Sequence, residues 1–295
     1  MTGLIETPLG NVEIMRGGGG PPVLFVHGTP GGSDTSWAMG QFLVDAGLTV
    51  IAPSRPGYLG TELGENKTID QQADLLAALM TTLGFEKFSV VAWSGGGPSS
   101  YRLAVKYPDR VNALVPFACV SGKYAEPKEN LETKLIFRTS FGHWLMHFLA
   151  QHAPESTIKS TLGEEGDLSR AELKRQATEV IGDEQQAAVP LALAEVVADF
   201  DNRTVGFDND WAQFEAIDSL ELEKVTAPTL VVYGDADADV DPVQSANAVA
   251  AVPGAEEYVI EKGTHLALFA HPDAHVAQAR VLEFLFAHGA GHQPS

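Results

Sequence analysis

The sequence predicts an α/β protein with a mostly parallel central sheet, helices on both faces of that sheet and a helical insertion. Two patterns carry this prediction. Short apolar runs of the buried-strand type alternate with amphipathic stretches of helix length, as expected when parallel strands are covered on both faces. Between residues 122 and 225 only amphipathic segments remain. We therefore expect a core formed by residues 1–121 and 226–295, with a helical lid domain at residues 122–225.

The predicted core elements alternate along the chain. They are an N-terminal hairpin at residues 4–7 and 12–16, strands at 22–26, 48–52, 88–93, 111–118, 228–233 and 257–260, and helices at 36–46, 68–84, 99–107, 242–251 and 273–288. Thr68 and Asp241 are the candidate N-caps of their helices. Inside the insertion, amphipathic segments run over residues 131–152, 169–181 and 185–200.

The composition narrows the classes of partner. The 295 residues include 39 acidic and 19 basic side chains, a formal net charge of −20. This charge repels nucleic-acid phosphates and anionic membrane surfaces, so we expect neither as a partner. The N-terminus lacks a basic region followed by an apolar one, and no apolar stretch reaches the roughly 18 residues of a membrane span. With a single cysteine, Cys119, the chain suits a cytoplasmic location. The oligomeric state stays open.

The strand at residues 88–93 ends in Ser94, which is followed by three glycines. A strand that delivers a serine onto a tight turn before a helix is the pattern of a nucleophile elbow. The residues two before and two after the serine nearly touch in such a turn, and here they are the small Ala92 and Gly96. A glycine-rich loop or a phosphate-binding turn is the alternative, although the Gly-x-Gly-x-x-Gly and Gly-Lys-Ser/Thr patterns are absent from this stretch.

A serine hydroxyl is a weak nucleophile unless a base takes its proton and an acid orients that base. Of the nine histidines, His265 is the best placed, because it lies in the loop between the last short strand and the terminal helix. His143 and His147 are four residues apart on a predicted helix, but without a third ligand we expect no metal there. Five further histidines are expected at surface or capping positions: His152, His271, His275, His288 and His292.

The candidate acid lies in residues 234–242, which follow a buried strand and contain four aspartates in alternation. Asp237 is preferred because it stands just past the strand end, where open α/β sheets place their sites. Asp241 precedes Pro242 as a helix cap, and Asp235 and Asp239 are expected to face solvent or backbone.

Acyl transfer also needs donors for the developing oxyanion. The backbone N–H of Gly95, at the start of the elbow helix, is one candidate, and the N–H of Thr29, in the loop after the first buried strand, is the other. We expect His27 to brace this loop. Gly28 and Trp93 are expected to line the substrate pocket.

Together these segments resemble the α/β-hydrolase superfamily. The resemblance rests on His-Gly-Thr-Pro at residues 27–30, the Ser94 elbow, the Pro-Thr-Leu-Val-Val-Tyr-Gly-x-x-Asp segment ending at Asp237, and Gly-Thr-His ending at His265. It implies the α/β-hydrolase fold, a triad of Ser94, His265 and Asp237, and a lid that roofs the site. Haloalkane dehalogenases and epoxide hydrolases of this superfamily have an aspartate at the elbow position of Ser94.

The Ser-Gly-Gly-Gly-Pro elbow and the Phe-Asp-Asn-Asp-Trp stretch at residues 207–211 look most like bacterial esterases of small monoesters. This resemblance implies a carboxylesterase that takes a small-molecule ester and needs neither cofactor nor metal. Residues 27–32 also resemble the loop of proline iminopeptidases, so a peptidase or a carbon–carbon bond hydrolase is the enzymatic alternative. A homologue that binds a ligand without turnover is the non-enzymatic one.

Overall fold

The computed structural model describes residues 2–125 and 139–289. Eight strands within these ranges form one sheet, in the order β1-β2-β4-β3-β5-β6-β7-β8. The strands are β1 (Thr2–Thr7), β2 (Gly10–Gly17), β3 (Pro22–Val26), β4 (Thr49–Pro53), β5 (Phe88–Trp93), β6 (Val111–Phe117), β7 (Leu230–Gly234) and β8 (Glu256–Ile260). The pairs β1–β2 and β2–β4 are antiparallel, and all pairs from β4 to β8 are parallel. The predicted mostly parallel α/β sheet is confirmed.

The described helices are α1 (Ser33–Met39), α2 (Gln41–Asp45), α3 (Ile69–Thr82), α4 (Gly97–Lys106), α5 (Ser140–His152), α6 (Pro154–Glu164), α7 (Arg170–Ile181), α8 (Glu184–Ala198), α9 (Thr204–Glu215), α10 (Pro242–Ala251) and α11 (Ala274–His288). Both predicted N-caps are confirmed. Thr68 and Gln71 form a reciprocal capping box at the start of α3. The Asp241 side chain accepts a hydrogen bond from the Val243 N–H at the start of α10. No helix of the described ranges is long and apolar enough to cross a membrane.

Strand β5 explains why the central runs are apolar without alternation. All six of its residues are buried. Val90 and Ala92 face a core cluster that includes Leu79 of α3, whereas Val91 and Trp93 face a second cluster on the other side of the sheet. Because side chains alternate across a strand, a strand covered on both faces needs apolar residues at every position.

Several local predictions were wrong. The helix predicted over residues 36–46 is two helices, α1 and α2, separated at Gly40, a residue type with low helix propensity. Helices α6 and α9 were not predicted. In α9, Phe207, Trp211 and Phe214 recur at helical spacing, which is the sequence signal for this helix. Residues 131–138 of one predicted amphipathic segment lie outside the described residues.

The described part of the insertion contains helices α5 to α9 and no strand of the sheet. The last part of the insertion packs onto the core: Phe214 in α9, and Ile217 and Leu222 after it, are buried in the same cluster as Val90 of β5. The lid boundary at residue 225 stays a prediction. Whatever the boundary, α9 contributes to the packing beside the elbow strand.

Candidate active site

The turn after β5 has the backbone expected of an elbow. Ser94 has a φ of 54°, in the left-handed region that non-glycine residues rarely adopt. A 3₁₀ turn over Ser94–Gly96 then leads into α4. A Cβ atom on Gly96 would lie 2.6 Å from the carbonyl oxygens of Val26 and His27, so this position accepts only glycine without movement of the β3 loop. The serine is therefore held at the carboxyl end of β5, against the loop that follows β3.

The structure brings the predicted base and acid together. Nδ1 of His265 lies 2.8 Å from Oδ2 of Asp237, and both side chains are only 1% exposed. The other carboxylate oxygen, Oδ1 of Asp237, accepts from the backbone N–H groups of Asp239 and Val240, each at 2.9 Å. Both oxygens of Asp237 are engaged, so the carboxylate is held in place beside Nδ1. A carboxylate there favours the tautomer of His265 in which Nδ1 carries the proton.

The elbow and the histidine loop lie side by side. The Trp93 indole N–H donates to the carbonyl of His265 at 3.2 Å, and the two rings are 5.2 Å apart. Nevertheless, Nε2 of His265 has no hydrogen-bond partner among the described residues, so it is not bonded to Ser94. The third link of the predicted triad is thus not formed in this conformation.

Two carboxylates that the sequence analysis did not assign to the site face Nε2 instead. Oδ2 of Asp239 lies 3.3 Å from Nε2 of His265, and the nearest carboxylate oxygen of Glu165 belongs to the same group of atoms, all within 4.8 Å of one another. Asp239 is partly exposed to solvent, as predicted, but its side chain also contacts the imidazole of His265, which the prediction did not include. Its N–H is tied to Asp237, which turns the loop so that the half-exposed Asp239 side chain bends back towards the imidazole.

Glu165 reaches this place through a short segment between α6 and α7. The N–H of His265 donates to the carbonyl of Glu165, and the N–H of Asp167 donates to the carbonyl of Ala236, each at 2.9 Å. Gly166 forms a β-bridge with Asp237. The insertion therefore contacts the acid loop and the histidine loop at once. No motif in the sequence signals this contact.

The carboxylates around the imidazole of His265 raise its pKa. Burial opposes the charged form of His265, but the negative charges of Asp237 and Asp239 outweigh it and raise the pKa of the imidazole to about 10. Burial and the neighbouring Asp239 charge raise the pKa of Glu165 to about 8. Desolvation of the carboxylate beside the imidazole and the negative charge of Asp237 also raise the pKa of Asp239. In this conformation the imidazole is held as the cation near neutral pH.

The remaining predicted site residues surround Ser94. A Cβ atom on Gly28 would lie 2.8 Å from both the Ser94 Cβ and the Trp93 ring, and a Cβ on Gly95 would overlap Oγ1 of Thr29. The β3 loop and the first turn of α4 therefore pack with their backbones in close approach.

A buried ion pair that the sequence analysis missed holds the β3 loop. Asp210 of α9 accepts from both terminal nitrogens of Arg55, at 2.9 and 2.6 Å, and from Oη of Tyr58 and Oγ1 of Thr29, each at 2.6 Å. Arg55 also donates to the carbonyl of Gly28 at 2.9 Å. Burial opposes the charge on Arg55, but Asp210 and Tyr58 raise the pKa of the guanidinium. The predicted oxyanion loop is thus fixed by side chains from the segment after β4 and from α9.

His27 braces this loop as predicted and is fully buried. Its Nε2 accepts from the Arg55 backbone N–H at 2.9 Å, and its Nδ1 donates to the Gly28 carbonyl at 2.7 Å. Burial and the positive charge of Arg55 hold the pKa of His27 well below its usual value. His27 is therefore a neutral structural residue.

The other histidines lie apart from the site. His147 pairs with Glu195 of α8. His271, predicted at a surface or capping position, is 1% exposed because it packs beside α8, where its N–H donates to Gln186. Its Nδ1 does accept from the Asp273 N–H, which caps the turn before α11. His292 lies outside the described residues.

Comparison with known proteins settles the family. The profile described as "alpha/beta hydrolase fold" matches residues 21–272, most of the chain. The chain belongs to the α/β-hydrolase family. An α/β-hydrolase fold protein from Nakamurella multipartita superposes with a TM-score of 0.95 at 44% sequence identity, over 97% of this chain and 99% of that one.

Two curated relatives match shorter stretches. An uncharacterised hydrolase of Bacillus subtilis is 33% identical over 145 residues, which are 48% of this chain and 50% of that protein. A 2-hydroxy-6-oxo-6-phenylhexa-2,4-dienoate hydrolase of Comamonas testosteroni is 33% identical over 115 residues, 37% of each chain. The chain thus spans half or less of the length of these relatives.

Proposed function

We propose that this chain is a serine hydrolase that cleaves a small-molecule carboxylic ester through an acyl-enzyme on Ser94. The observation that carries the proposal is the buried 2.8 Å contact between Oδ2 of Asp237 and Nδ1 of His265, next to a serine on a left-handed turn. A carboxylate on Nδ1 keeps the lone pair on Nε2, the nitrogen that a general base needs. Relatives with hydrolase names support the reaction class.

In this mechanism Oγ of Ser94 attacks the ester carbonyl while Nε2 of His265 takes the hydroxyl proton. Asp237 stabilises the imidazolium that forms, and the N–H groups of Thr29 and Gly95 stabilise the oxyanion of the tetrahedral intermediate. His265 then gives its proton to the departing alcohol. A water molecule, deprotonated by the same nitrogen, attacks the acyl-enzyme, and His265 returns that proton to Oγ of Ser94 as the acid is released.

The mechanism requires Asp239 to move away from Nε2. Its side chain is 47% exposed, so rotation towards solvent removes it from the imidazole without exposing buried surface. An apolar part of the substrate that binds beside Trp93 and Gly28 would favour that rotation. It would reduce the hydration of the Asp239 carboxylate in its present position, whereas the rotated side chain is solvated. Ser94 then becomes the neighbour of the free nitrogen.

A carbon–carbon bond hydrolase is the second candidate, and the Comamonas testosteroni relative favours it. The same serine and histidine would serve both reactions, which differ in the group that departs when the acyl-enzyme forms: an alcohol from an ester, or a protonated carbon from a carbon–carbon bond. A peptidase is the third enzymatic candidate, and a ligand-binding homologue without turnover is the non-enzymatic one. The four candidates differ in which bond is cleaved and in whether Ser94 reacts at all.

Two measurements test the proposal. A fluorophosphonate should add once to each chain, at Ser94, and the Ser94→Ala variant should stay unlabelled in intact-mass analysis. The purified protein should then be assayed on matched aryl esters, aryl amides and vinylogous 1,5-diketones. Ester cleavage that Ser94→Ala lacks supports the esterase. Cleavage of the diketone alone favours the carbon–carbon bond hydrolase, and no labelling with no turnover favours the ligand-binding homologue.

A further inference from the structure

We propose that Glu165, Asp239 and Nε2 of His265 form a binding site for a divalent transition-metal ion of the Zn²⁺ class. One potential ligand atom from each residue lies within 4.8 Å of the other two. One imidazole nitrogen and two carboxylate oxygens are a ligand set that Zn²⁺ accepts, and they leave a fourth position for water. The site assembles residues from three parts of the chain: the insertion, the acid loop and the histidine loop.

The separations suit a tetrahedral ion. With metal–ligand bonds of about 2.0–2.2 Å, two ligands of a tetrahedral zinc lie about 3.3–3.5 Å apart. The Nε2 of His265 and Oδ2 of Asp239 are 3.3 Å apart, at ion-pair distance when the imidazole is protonated but without hydrogen-bond geometry, so a metal ion would replace the proton between them. The carboxylate oxygen of Glu165 lies within 4.8 Å of both atoms and would have to move closer to complete the set. The Asp239 oxygen and the His265 nitrogen are thus placed like two ligands of one cation.

Unpartnered buried atoms point to the same place. Nε2 of His265 and Oε2 of Glu165 are both inaccessible to solvent and lack hydrogen-bond partners among the described residues. His265 as a whole is 1% exposed. Buried polar atoms without partners are rare in native proteins, and each calls for a ligand or another specific cause. A cation between these atoms would satisfy both of them.

Asp237 completes the arrangement from the other side of the ring. Histidines that bind metals usually donate their second N–H to a carboxylate, which fixes the tautomer and directs the free nitrogen at the ion. The 2.8 Å contact of Asp237 with Nδ1 of His265 has this geometry. A metal on Nε2 would occupy the lone pair that the proposed hydrolase uses. Zn²⁺ should therefore inhibit, a consequence that rests on the proposed function, whereas metal binding itself does not.

Binding is tested on the full-length Ser94→Ala variant, which cannot turn over and retains all three ligands. Calorimetric titration with Zn²⁺ should show one site per chain that is stronger than any other. Co²⁺ should give the intense visible absorption of a four- or five-coordinate ion. Adding Glu165→Gln or Asp239→Asn should weaken Zn²⁺ binding by more than about tenfold, since even loss of a ligand's outer partner costs about 10–100-fold.

Two matched controls locate the site. Asp235→Asn changes an exposed aspartate of the same loop, and His147→Gln removes a histidine paired with Glu195 on the surface. Neither should alter the strong Zn²⁺ site. Binding that is unchanged in both Glu165→Gln and Asp239→Asn, or lost in His147→Gln, would overturn the proposal and identify an adventitious site. Both ligand variants are compared because either one alone could disturb the loops.

Assays of ester hydrolysis with and without Zn²⁺ distinguish failure of the metal site from failure of the proposed function. If the unmodified protein hydrolyses esters, Zn²⁺ should lower the rate, EDTA should restore it, and Asp239→Asn should need more than about ten times as much Zn²⁺ for the same inhibition. Binding of Zn²⁺ to a protein without ester hydrolysis contradicts the proposed function and supports the site. Absence of binding overturns the site whatever the activity, and binding without inhibition overturns its regulatory consequence.

Discussion

Oγ1 of Thr29 donates a 2.6 Å hydrogen bond to Oδ2 of Asp210, and this contact joins the loop after β3 to helix α9. Asp210 also carries the charge that balances the buried Arg55. One carboxylate from the insertion thus fixes the position of a proposed oxyanion donor and neutralises a guanidinium in the core. The insertion therefore contributes directly to the loop after β3, because that loop depends on Asp210 for its hydrogen bonds.

Replacing Asp210 by Asn should destabilise the protein by about 3–5 kcal/mol, because the Arg55 guanidinium would stay buried without its counter-charge. Urea denaturation followed by circular dichroism measures the change. Glu179→Gln is the control: it breaks an exposed contact with Arg175, and pairs of this kind contribute about 0–1 kcal/mol. Equal, small losses in the two variants would show that the buried pair is not a major contributor to stability.

The Ser94→Ala variant should lose at least about 10⁴-fold in kcat on the best ester substrate while its thermal transition stays close to that of the unmodified protein. Removal of one hydroxyl leaves the packing of the elbow unchanged, but removes the nucleophile. Steady-state kinetics and thermal unfolding of the same preparation check both parts. A variant that keeps a tenth of the rate would exclude an acyl-enzyme on Ser94.

Gly95→Ala keeps the backbone N–H but should displace it, and should therefore lower kcat by up to about 10²–10³-fold, the usual effect of losing one oxyanion donor. The added methyl group would overlap Oγ1 of Thr29, which cannot retreat because Arg55 and Asp210 hold it. Gly19→Ala is the control, since nothing lies within 4 Å of a Cβ at that position. Kinetics on one ester compare the two. A Gly95→Ala enzyme with normal kcat would mean that the two backbones can separate without cost to the reaction.

The sequence predicts those parts of the molecule that depend on local patterns. Continuous apolar runs identify strands such as β5 because burial on both faces requires them, and the elbow is visible because its turn needs small residues around Ser94. The partnership of Asp237 with His265 follows from the place of each beside a strand end. These are properties of short segments.

Asp210, Glu165 and Asp239, whose roles the sequence does not predict, act through contacts that local sequence patterns do not reveal. Asp210 lies 155 residues from Arg55, and nothing near either residue indicates the pairing. Glu165 reaches His265 through a three-residue segment without a motif. The direction of the Asp239 side chain depends on a hydrogen bond from its own N–H to Asp237, which an alternating run of aspartates does not reveal. Tertiary placement, rather than residue type, assigns these roles.

In the presence of EDTA, kcat/KM should rise with pH and reach its midpoint above 6.5, the usual pKa of histidine. The base must be neutral, and Asp237 and Asp239 raise the pKa of His265 to about 10 although burial opposes them. Removing one of these charges in Asp239→Asn should move the midpoint to lower pH, whereas Asp235→Asn should leave it in place. A midpoint at or below 6.5, or one that does not respond to Asp239→Asn, would contradict the electrostatic role assigned to these carboxylates.

Asp237 and Asp239 offer a matched pair for the last prediction, because both lie in one loop and both contact the imidazole of His265, on opposite nitrogens. Asp237→Asn should lower kcat by about 10³–10⁴-fold, since an amide nitrogen facing Nδ1 forces the tautomer in which Nε2 carries the proton. The amide oxygen can still accept from the Val240 N–H, so the loop should keep its conformation.

Asp239→Asn should cost less than about tenfold in kcat at a pH above the midpoint, because the mechanism requires that side chain to leave Nε2 rather than to act on it. Steady-state kinetics of the two variants at the same high pH measure the contrast, and thermal unfolding shows whether either loop has been disturbed. If the large loss falls on Asp239→Asn instead, the carboxylate on Nε2 takes part in the reaction. The orienting acid would then have been assigned to the wrong side of the ring.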